Sequence, residues 1–274
     1  MMPAYVSFFG LKEAPFSKEI ADADLWLPSS KSAVVDELCE ALSERGSAVL
    51  VGEPGVGKTC VLRALRHRLA PNSGFRLTYC HNATLGRRDF YRLLCHALGL
   101  TPSATAAGVF YAVTTHVEQL GHDRLHPVFL LDEAHLLHQD VLDHLHILLN
   151  YQWDSKALLS IVLVGLPELE DRLGRRHQRS LSSRLHTRLR IDTLVPADTA
   201  EYLRLRLARA GCEKDVFTSD AIAMLHEAAS GTLRDVDRVA TAALREAARR
   251  KKKLVERDLL ARVLDLDAER EAAA

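Results

Sequence analysis

The sequence predicts an α/β fold, in which a parallel β-sheet is sandwiched by helices and followed by a small all-helical domain. Short apolar runs typical of buried strands recur at 47–51, 75–80, 127–131 and 159–164, with helical patterns between them. After Pro196 every segment has helical spacing and no strand-like run follows. Strands that alternate with helices form a parallel sheet covered on both faces.

The boundaries follow from changes in this pattern. Val34, Val35, Leu38 and Leu42 recur at helical spacing, and Gly46 stops that helix before the first strand. Past Pro196, Gly211 can end the first lid helix. Thr218 or Ser219 can cap the second lid helix, and Gly231 can end it. The predicted segments are an N-terminal segment with the first helix (1–46), an α/β domain (47–195), a helical lid domain (196–267) and a frayed tail (268–274).

Composition restricts the partners and the location. Lys+Arg and Asp+Glu both number 36 in 274 residues, so no global positive field holds nucleic acid, and DNA binding requires a local patch. No apolar run approaches the ~18 residues of a membrane span, so no membrane partner is expected. The five cysteines are widely separated and form no C-x-x-C pair. A reduced, cytoplasmic protein is the simplest interpretation.

The first chemical motif is the glycine-rich loop GEPGVGKT, which matches G-x-x-x-x-G-K-[ST] between a predicted strand and a predicted helix. Glycines let the backbone wrap so that its N–H groups face phosphates. Lys58 adds a charge at the β- and γ-phosphates, and the Thr59 hydroxyl can ligate magnesium. A Walker A loop that binds ATP and Mg²⁺ is therefore predicted, in a P-loop NTPase fold. Its nucleotide contacts are Gly52, Glu53, Pro54, Gly55, Val56, Gly57, Lys58, Thr59 and Cys60.

The second motif is VFLLDE at 128–133, an apolar strand that ends in two carboxylates. This is a Walker B pattern. Asp132 is predicted to complete the magnesium site with Thr59, and Glu133 to orient and polarise the attacking water. The alternative is a solvated strand end. Together the two motifs predict an ATP hydrolase, for which Lys58 and Glu133 are essential.

Two further clusters of charged or polar residues are interpreted as solvent-exposed faces rather than as functional sites. His135, His138, His144 and His146 crowd one segment, but their spacing is not H-E-x-x-H, and they indicate a polar helix face rather than a metal site. The run RRKKK at 249–253 can touch DNA, but cations also end helices favourably, and a solvated face is the simpler interpretation.

Over nearly its whole length the chain resembles the ExeA/GspA-type AAA+ ATPases. The resemblance rests on YVSFFGLKEAPFS, GEPGVGKT, LLDEAHLL, LLNYQWDSKALLSIVLVGLPELEDRL and the lid's GTLRD. It implies the AAA+ form of the P-loop fold. Secretion-pathway members continue into a membrane span and a periplasmic part, whereas short members resemble transposition helpers related to the TniB, IstB and Mu B ATPases.

The sequence shows no membrane span and no second domain after the lid, so the short form is expected. That form implies a homo-oligomer that assembles with ATP on double-stranded DNA and directs a transposase, with Arg87 and Arg88 facing a central channel. The alternative is a soluble ATPase of a secretion or envelope-assembly system that acts on a protein partner.

The resemblance also assigns catalytic arginines. Arg184, in the triplet Ser183 to Leu185, resembles the arginine finger of clamp loaders, which reaches the γ-phosphate of a neighbouring subunit. Seven arginines lie in the stretch from 169 to 190, and a solvated basic face is the simpler interpretation for the others. Arg234, in the G-x-x-R arrangement that begins at Gly231, resembles sensor 2. The alternative for Arg234 is a surface arginine after a helix cap.

The polar sensor 1 residue is missing from its usual place. Family members commonly carry glutamine where this chain has Leu166, and neither Gly165 nor Leu166 can contact the γ-phosphate through a polar group. Asn150 is a possible substitute among the nucleotide-binding residues, and it is equally well interpreted as a helix cap. The missing group leaves open a switch that binds ATP and barely hydrolyses it, although Glu133 argues against that.

Overall fold

A computed structural model describes residues 3–69, 73–81, 84–103 and 105–272, with side chains up to residue 266. The chain divides into two compact units. The first, the sheet unit, consists of Ser29–Glu53 and Lys58–Ile191. The second, the helical unit, consists of residues up to Pro28, the loop Pro54–Gly57 and the chain from Asp192 onward.

The sheet confirms the predicted α/β fold. Within the described residues it has five strands, β1 (Ser47–Gly52), β2 (Phe75–Cys80), β3 (His126–Leu131), β4 (Ser160–Gly165) and β5 (Leu185–Ile191). Their order across the sheet is β2-β3-β4-β1-β5, and every neighbouring pair is parallel. Parallel pairing requires crossover connections, and helices supply them.

Helices precede, connect and follow the strands. They are α1 (Ala4–Phe9), α2 (Ser29–Ser43), α3 (Lys58–Arg68), α4 (Arg87–Ala97), α5 (Ala106–His122), α6 (Gln139–Leu148), α7 (Glu168–Leu173), α8 (Arg179–Ser182), α9 (Pro196–Arg209), α10 (Ser219–Ala228), α11 (Leu233–Arg249) and α12 (Arg257–Ala272). Short 3₁₀ turns lie at Asp22–Asp24, Ala134–Leu136 and Arg176–Gln178.

The central strands account for the core of the sheet unit. All six residues of β1, β3 and β4 are buried, as expected of strands covered on both faces. Phe129 and Leu163 on the strands and Leu145 on α6 are fully buried in one hydrophobic cluster. These apolar runs are the ones that the sequence identifies directly.

The strand β5 was not predicted, because its sequence LHTRLRI has the charge of the basic stretch around it. Leu185, Leu189 and Ile191 are buried, whereas His186 and Arg188 point to solvent. β5 lies at the edge of the sheet and pairs with β1 alone. An edge strand tolerates charged side chains. The sequence of β5 therefore resembles a polar loop, and its pairing with β1 is needed to identify it as a strand.

The helical unit contains the helices after Asp192, and its caps follow the predicted signals. Thr218 Oγ1 accepts from the N–H of Ala221 at the start of α10, at 3.3 Å. Gly211 and Gly231 follow α9 and α10 with φ of 93° and 67°, the left-handed conformation that ends a helix. A predicted frayed tail at 268–274 stays a prediction: α12 runs to Ala272, and residues 273–274 lie outside the described residues.

A buried arginine fastens the N-terminal segment within the helical unit. Arg206 donates from Nε to Pro15 O and from Nη2 to Ser17 O, both at 2.6 Å. Its Nη1 donates to Tyr202 Oη at 2.9 Å, and Tyr202 donates to Asp237 Oδ1 at 2.7 Å. Residues 3–28 therefore belong with these helices, whereas 29–46 belong to the sheet unit.

Among the described residues, no helix has both the length and the apolar character that crossing a membrane requires.

Candidate active site

The two predicted motifs meet at the carboxyl edge of the sheet. β1 ends at Gly52, where the Walker A loop begins, and β3 ends at Leu131, just before Asp132. Because all strands are parallel, the carboxyl ends of β1 and β3 lie at the same end of the sheet, and the carboxyl end of β4 lies between them. Adjacent strands are ~4.8 Å apart, so the two motifs flank a gap of about 10 Å at the end of β4.

Lys58 lies at the first position of α3, in the sheet unit, and is largely buried. Its Nζ donates to the carbonyl oxygens of Gly52, at 2.7 Å, and of Glu53, at 3.0 Å. These contacts hold the ammonium beside the loop. A helix N-terminus next to a buried cation is suited to bind phosphate.

Asp132 is the buried carboxylate of the site, with 6% of the residue exposed. Its Oδ1 accepts from the N–H of Glu133 at 2.9 Å, and its Oδ2 accepts from Tyr79 Oη at 2.8 Å. Burial and this hydrogen bond raise the pKa of the Tyr79 hydroxyl, so it remains a donor. The site therefore includes a tyrosine that orients Asp132 and that the sequence did not reveal.

Tyr79 lies on β2, the neighbour of β3, in register with Leu130. Its proximity to Asp132 depends on the order of the strands. In the sequence, the one feature that could have indicated this role is that Tyr79 carries a hydroxyl group one residue before the end of a predicted strand.

Glu133 has a left-handed backbone, with φ 54° and ψ 34°. A residue other than glycine costs about 1–3 kcal/mol in such a conformation and is enriched at functional sites. The Glu133 side chain is half-exposed, whereas Asp132 is buried. The two carboxylates thus occupy different environments, as their different predicted roles require.

The donor set fits magnesium. Mg²⁺ is commonly held by one or two protein oxygens together with phosphate oxygens and water, rather than by a complete protein cage. A carboxylate has about four lone-pair directions, and two hydrogen bonds leave capacity on Asp132. Asp132 and the exposed hydroxyl residue Thr59 are the protein groups that would hold the ion.

Arg184 and Asn150 lie at the opposite end of the sheet, where the strands begin. Arg184 directly precedes β5, whose first residue pairs with Ser47 at the start of β1. Six residues of strand, about 20 Å, separate this end from the Walker A loop. Leu149, which precedes Asn150, lines the same cleft as Ser47 and Arg184.

Asn150 and Arg184 make different contacts at this end of the sheet. Asn150 Oδ1 accepts from the N–H of Asp154 at 3.1 Å, so the amide closes a turn and lies away from Asp132. The amide thus closes the turn after α6, whose C-cap is Leu149, and this position does not agree with the use of Asn150 as sensor 1 within its own subunit. Arg184 Nη2 contacts Asp154 Oδ2 at 2.6 Å, and Nη1 donates to Ser180 O at 2.9 Å.

Arg234 belongs to the helical unit, together with the loop tip Pro54–Gly57. Its backbone N–H donates to Gly55 O at 3.3 Å. A Cβ added at Gly55 would meet the Cβ of Arg234 at 3.0 Å, and Gly55 has φ 81°, so glycine is required on two counts. The loop tip and the G-x-x-R segment are therefore in direct contact.

Comparison with known proteins identifies a family and a relative. The AAA domain family model matches residues 34–173. General secretion pathway protein A of Aeromonas hydrophila is 34% identical over 260 residues, which is 93% of this chain and 47% of that protein. The chain thus spans about half the length of this relative.

Two solved structures have a similar fold. The ORC1 protein of Aeropyrum pernix, in complex with DNA, has a TM-score of 0.67 at 20% identity over 91% of this chain and 67% of its own. The Holliday junction branch migration motor RuvB of Thermotoga maritima has a TM-score of 0.59 at 17% identity over 86% of this chain and 68% of its own. At these identities the likeness concerns the fold alone.

Proposed function

Since the chain belongs to the AAA domain family and is an ATP-hydrolysing enzyme, we propose that it works as an assembly of copies in which Arg184 of one copy completes the active site of the next. The observation that carries this proposal is the position of Arg184 about 20 Å from the Walker A loop of its own chain. An arginine side chain cannot cover that length. It can act on a γ-phosphate only in a second copy.

We propose the remaining roles as follows. Lys58 binds the β- and γ-phosphates, and the loop from Gly52 to Cys60 surrounds them. Glu133 orients a water molecule for in-line attack on the γ-phosphorus and accepts hydrogen bonding from it. Arg234, whose backbone N–H contacts Gly55 of the loop tip, is proposed to act as sensor 2, as the resemblance implies. Thr59 and Asp132 would hold magnesium, which would neutralise charge on the phosphate oxygens.

Mixing two inactive variants tests the shared site. Arg184→Ala retains an intact nucleotide site and lacks the finger, whereas Lys58→Ala retains the finger and lacks ATP binding. Each alone is expected to lose most of its turnover, about 10³- to 10⁵-fold for the finger. Mixed, they regain activity, because Arg184 of the Lys58→Ala chain serves the intact site of the other.

The matched control is Arg188→Ala, which removes an exposed arginine four positions further along the same basic strand, where it contacts Ser182 Oγ. Its turnover is expected to equal that of the unmodified protein. Activity of the mixture that stays at the sum of its components, at protein concentrations where assembly is seen by light scattering, would contradict the proposal.

For the partner, we propose double-stranded DNA and a transposase, with Arg87 and Arg88 as the DNA contacts. Both are exposed at the first two positions of α4. Cations at a helix N-terminus oppose the helix dipole, and this supports a role for their charge outside the helix. The basic run 249–253 gives less support, because Lys253 contacts the carbonyl and ring of Phe8.

The second candidate is an ATPase that serves a secretion or envelope-assembly system through a protein partner. The relative that is 34% identical over 93% of this chain favours it, since its name places that protein in general secretion. In both cases we propose action in the cytoplasm, where cysteine thiols remain reduced.

Steady-state ATPase rates with and without duplex DNA separate the candidates. A DNA-dependent ATPase gains turnover with DNA, loses the gain as salt rises, and loses it in the charge-reversed pair Arg87→Glu and Arg88→Glu. Turnover that is indifferent to DNA at low salt contradicts the transposition role and favours the protein partner. Arg124→Glu, which reverses an arginine between α5 and β3, is the control for a change of net charge.

A further inference from the structure

We propose that His135 is a positioning residue for Glu133, and that it supplies the polar group at the end of β4 that Gly165 and Leu166 lack. The inference rests on the proposed role of Glu133 in orienting the attacking water. The end of β4 lies between the Walker A and Walker B motifs, so a polar group there is next to both.

The imidazole ring of His135 joins β4 to Glu133. Its Nδ1 accepts from the backbone N–H of Leu166 at 3.3 Å, and its Nε2 lies 3.7 Å from Glu133 Oε2. The His135 side chain is only 11% exposed, whereas that of Glu133 is 50% exposed. The ring is thus held against the end of β4, and the carboxylate beside it is the more exposed partner.

This arrangement determines which ring nitrogen donates. Because Nδ1 accepts a hydrogen bond, the proton of a neutral ring is on Nε2, the nitrogen that faces Glu133. The separation of 3.7 Å is slightly longer than a hydrogen bond. A small rotation of the half-exposed Glu133 brings its carboxylate into range, with the lone pairs of its other oxygen left to hold water.

Gly165 provides the space for the ring. A Cβ added there would lie 3.1 Å from the backbone nitrogen of His135 and 3.3 Å from its Nδ1. Both distances are tighter than ordinary contact, so a larger residue at this position would displace the histidine. The absence of a side chain at the end of β4 is therefore what allows the ring to reach it.

The backbone of the turn is held from a second direction. Arg172 on α7 donates from Nη1 to His135 O at 2.5 Å and from Nη2 to Leu137 O at 2.7 Å. Leu137 directly follows the turn Ala134–Leu136. With its backbone clamped by Arg172 and its ring bound to Leu166, His135 has little freedom, which suits a residue that orients another.

The test compares three substitutions at His135. Asparagine provides an acceptor near the position of Nδ1 for Leu166 but no donor toward Glu133, whereas glutamine places a donor near the position of Nε2. We expect kcat to fall about 10- to 100-fold in His135→Ala and His135→Asn, and to recover in part in His135→Gln. ATP affinity, measured by equilibrium binding, stays within about twofold, because the His135 ring contacts Leu166 and the Glu133 carboxylate, whose proposed role is in hydrolysis.

The control variant is His138→Ala, which removes an exposed histidine that caps α6 three residues further on. It is expected to lower the melting temperature slightly and leave kcat unchanged. If His135→Ala does not fold, the asparagine and glutamine variants answer the same question, since both fill the site.

Equal kcat in His135→Asn and the unmodified protein would overturn the proposal, as would a loss that glutamine does not relieve. Glu133→Gln, measured in parallel, separates this failure from that of the proposed function. If Glu133→Gln retains turnover, the assignment of Glu133 is wrong. If it abolishes turnover while His135→Ala does not reduce it, only the role of His135 is wrong.

Discussion

Asp237 links the protonation of one carboxyl group to the stability of the helical unit. Burial raises its pKa from 3.8 to about 6, against the opposing effects of the hydrogen bond from Tyr202 and the charge of Arg206. Below about pH 4 the group is protonated in both folded and unfolded chains. As pH rises through 4, the unfolded chain ionises first, so stability is lost progressively until the folded form ionises near pH 6.

The magnitude follows from the size of the shift. A difference of about two pKa units corresponds to at most about 3 kcal/mol above pH 7. Between pH 4.5 and 7.5 the loss is about 2 kcal/mol, because part of it has occurred by pH 4.5. Asp237→Asn retains an oxygen that accepts from Tyr202 Oη and removes the titration. Its free energy of unfolding should therefore exceed that of the unmodified protein by an amount that grows over this range.

Tryptophan fluorescence provides the assay. The Trp26 ring lies 5.3 Å from Tyr202, inside the network that Asp237 terminates. The other tryptophan, Trp153, is fully exposed in the sheet unit, and Trp153→Phe removes its signal. Urea unfolding of the Trp153→Phe protein, with and without Asp237→Asn, gives the two stabilities at each pH. Parallel curves from pH 4.5 to 7.5 would refute the reasoning.

Three other predictions concern single side chains. Tyr79→Phe removes the donor to Asp132, so the magnesium concentration for half-maximal ATPase should rise about tenfold, and an unchanged titration would contradict this. Gly231→Ala places a Cβ 2.5 Å from Leu194 O at a residue with φ 67°, and should cost more than about 1 kcal/mol in urea unfolding; equal stability would show that the loop relaxes. Phe129→Ala empties a fully buried position and should cost about 3–5 kcal/mol, with a small loss indicating that the core collapses around it.

Much of the nucleotide site could be predicted from the sequence, because its parts are contiguous. A phosphate-binding loop needs a strand, a glycine-rich turn and a helix in succession, and GEPGVGKT has that order within eight residues. The buried runs of β1, β3 and β4 are apolar throughout, so their strand character does not depend on knowing their neighbours. The α/β class follows from their alternation with helices.

The rest depended on distant parts of the chain. β5 has only alternate residues buried, and its hydrophobic face is defined by β1, which lies more than 130 residues earlier. Tyr79 contacts Asp132 only because β2 is the neighbour of β3 in the sheet. Asn150 is near the motifs in sequence but lies at the other end of the sheet. A helix between parallel strands returns the chain to the end where the strands begin.

By itself, then, the sequence determined the fold class and the residues of the two predicted phosphate-site motifs. Local patterns of apolar residues and turn residues are sufficient to predict them. Only the tertiary structure decided which side chains support them. The order of the strands sets Tyr79 against Asp132, and the end of β4 sets His135 against Glu133. Strand order and register are set by packing over the whole sheet, and a local pattern does not contain them.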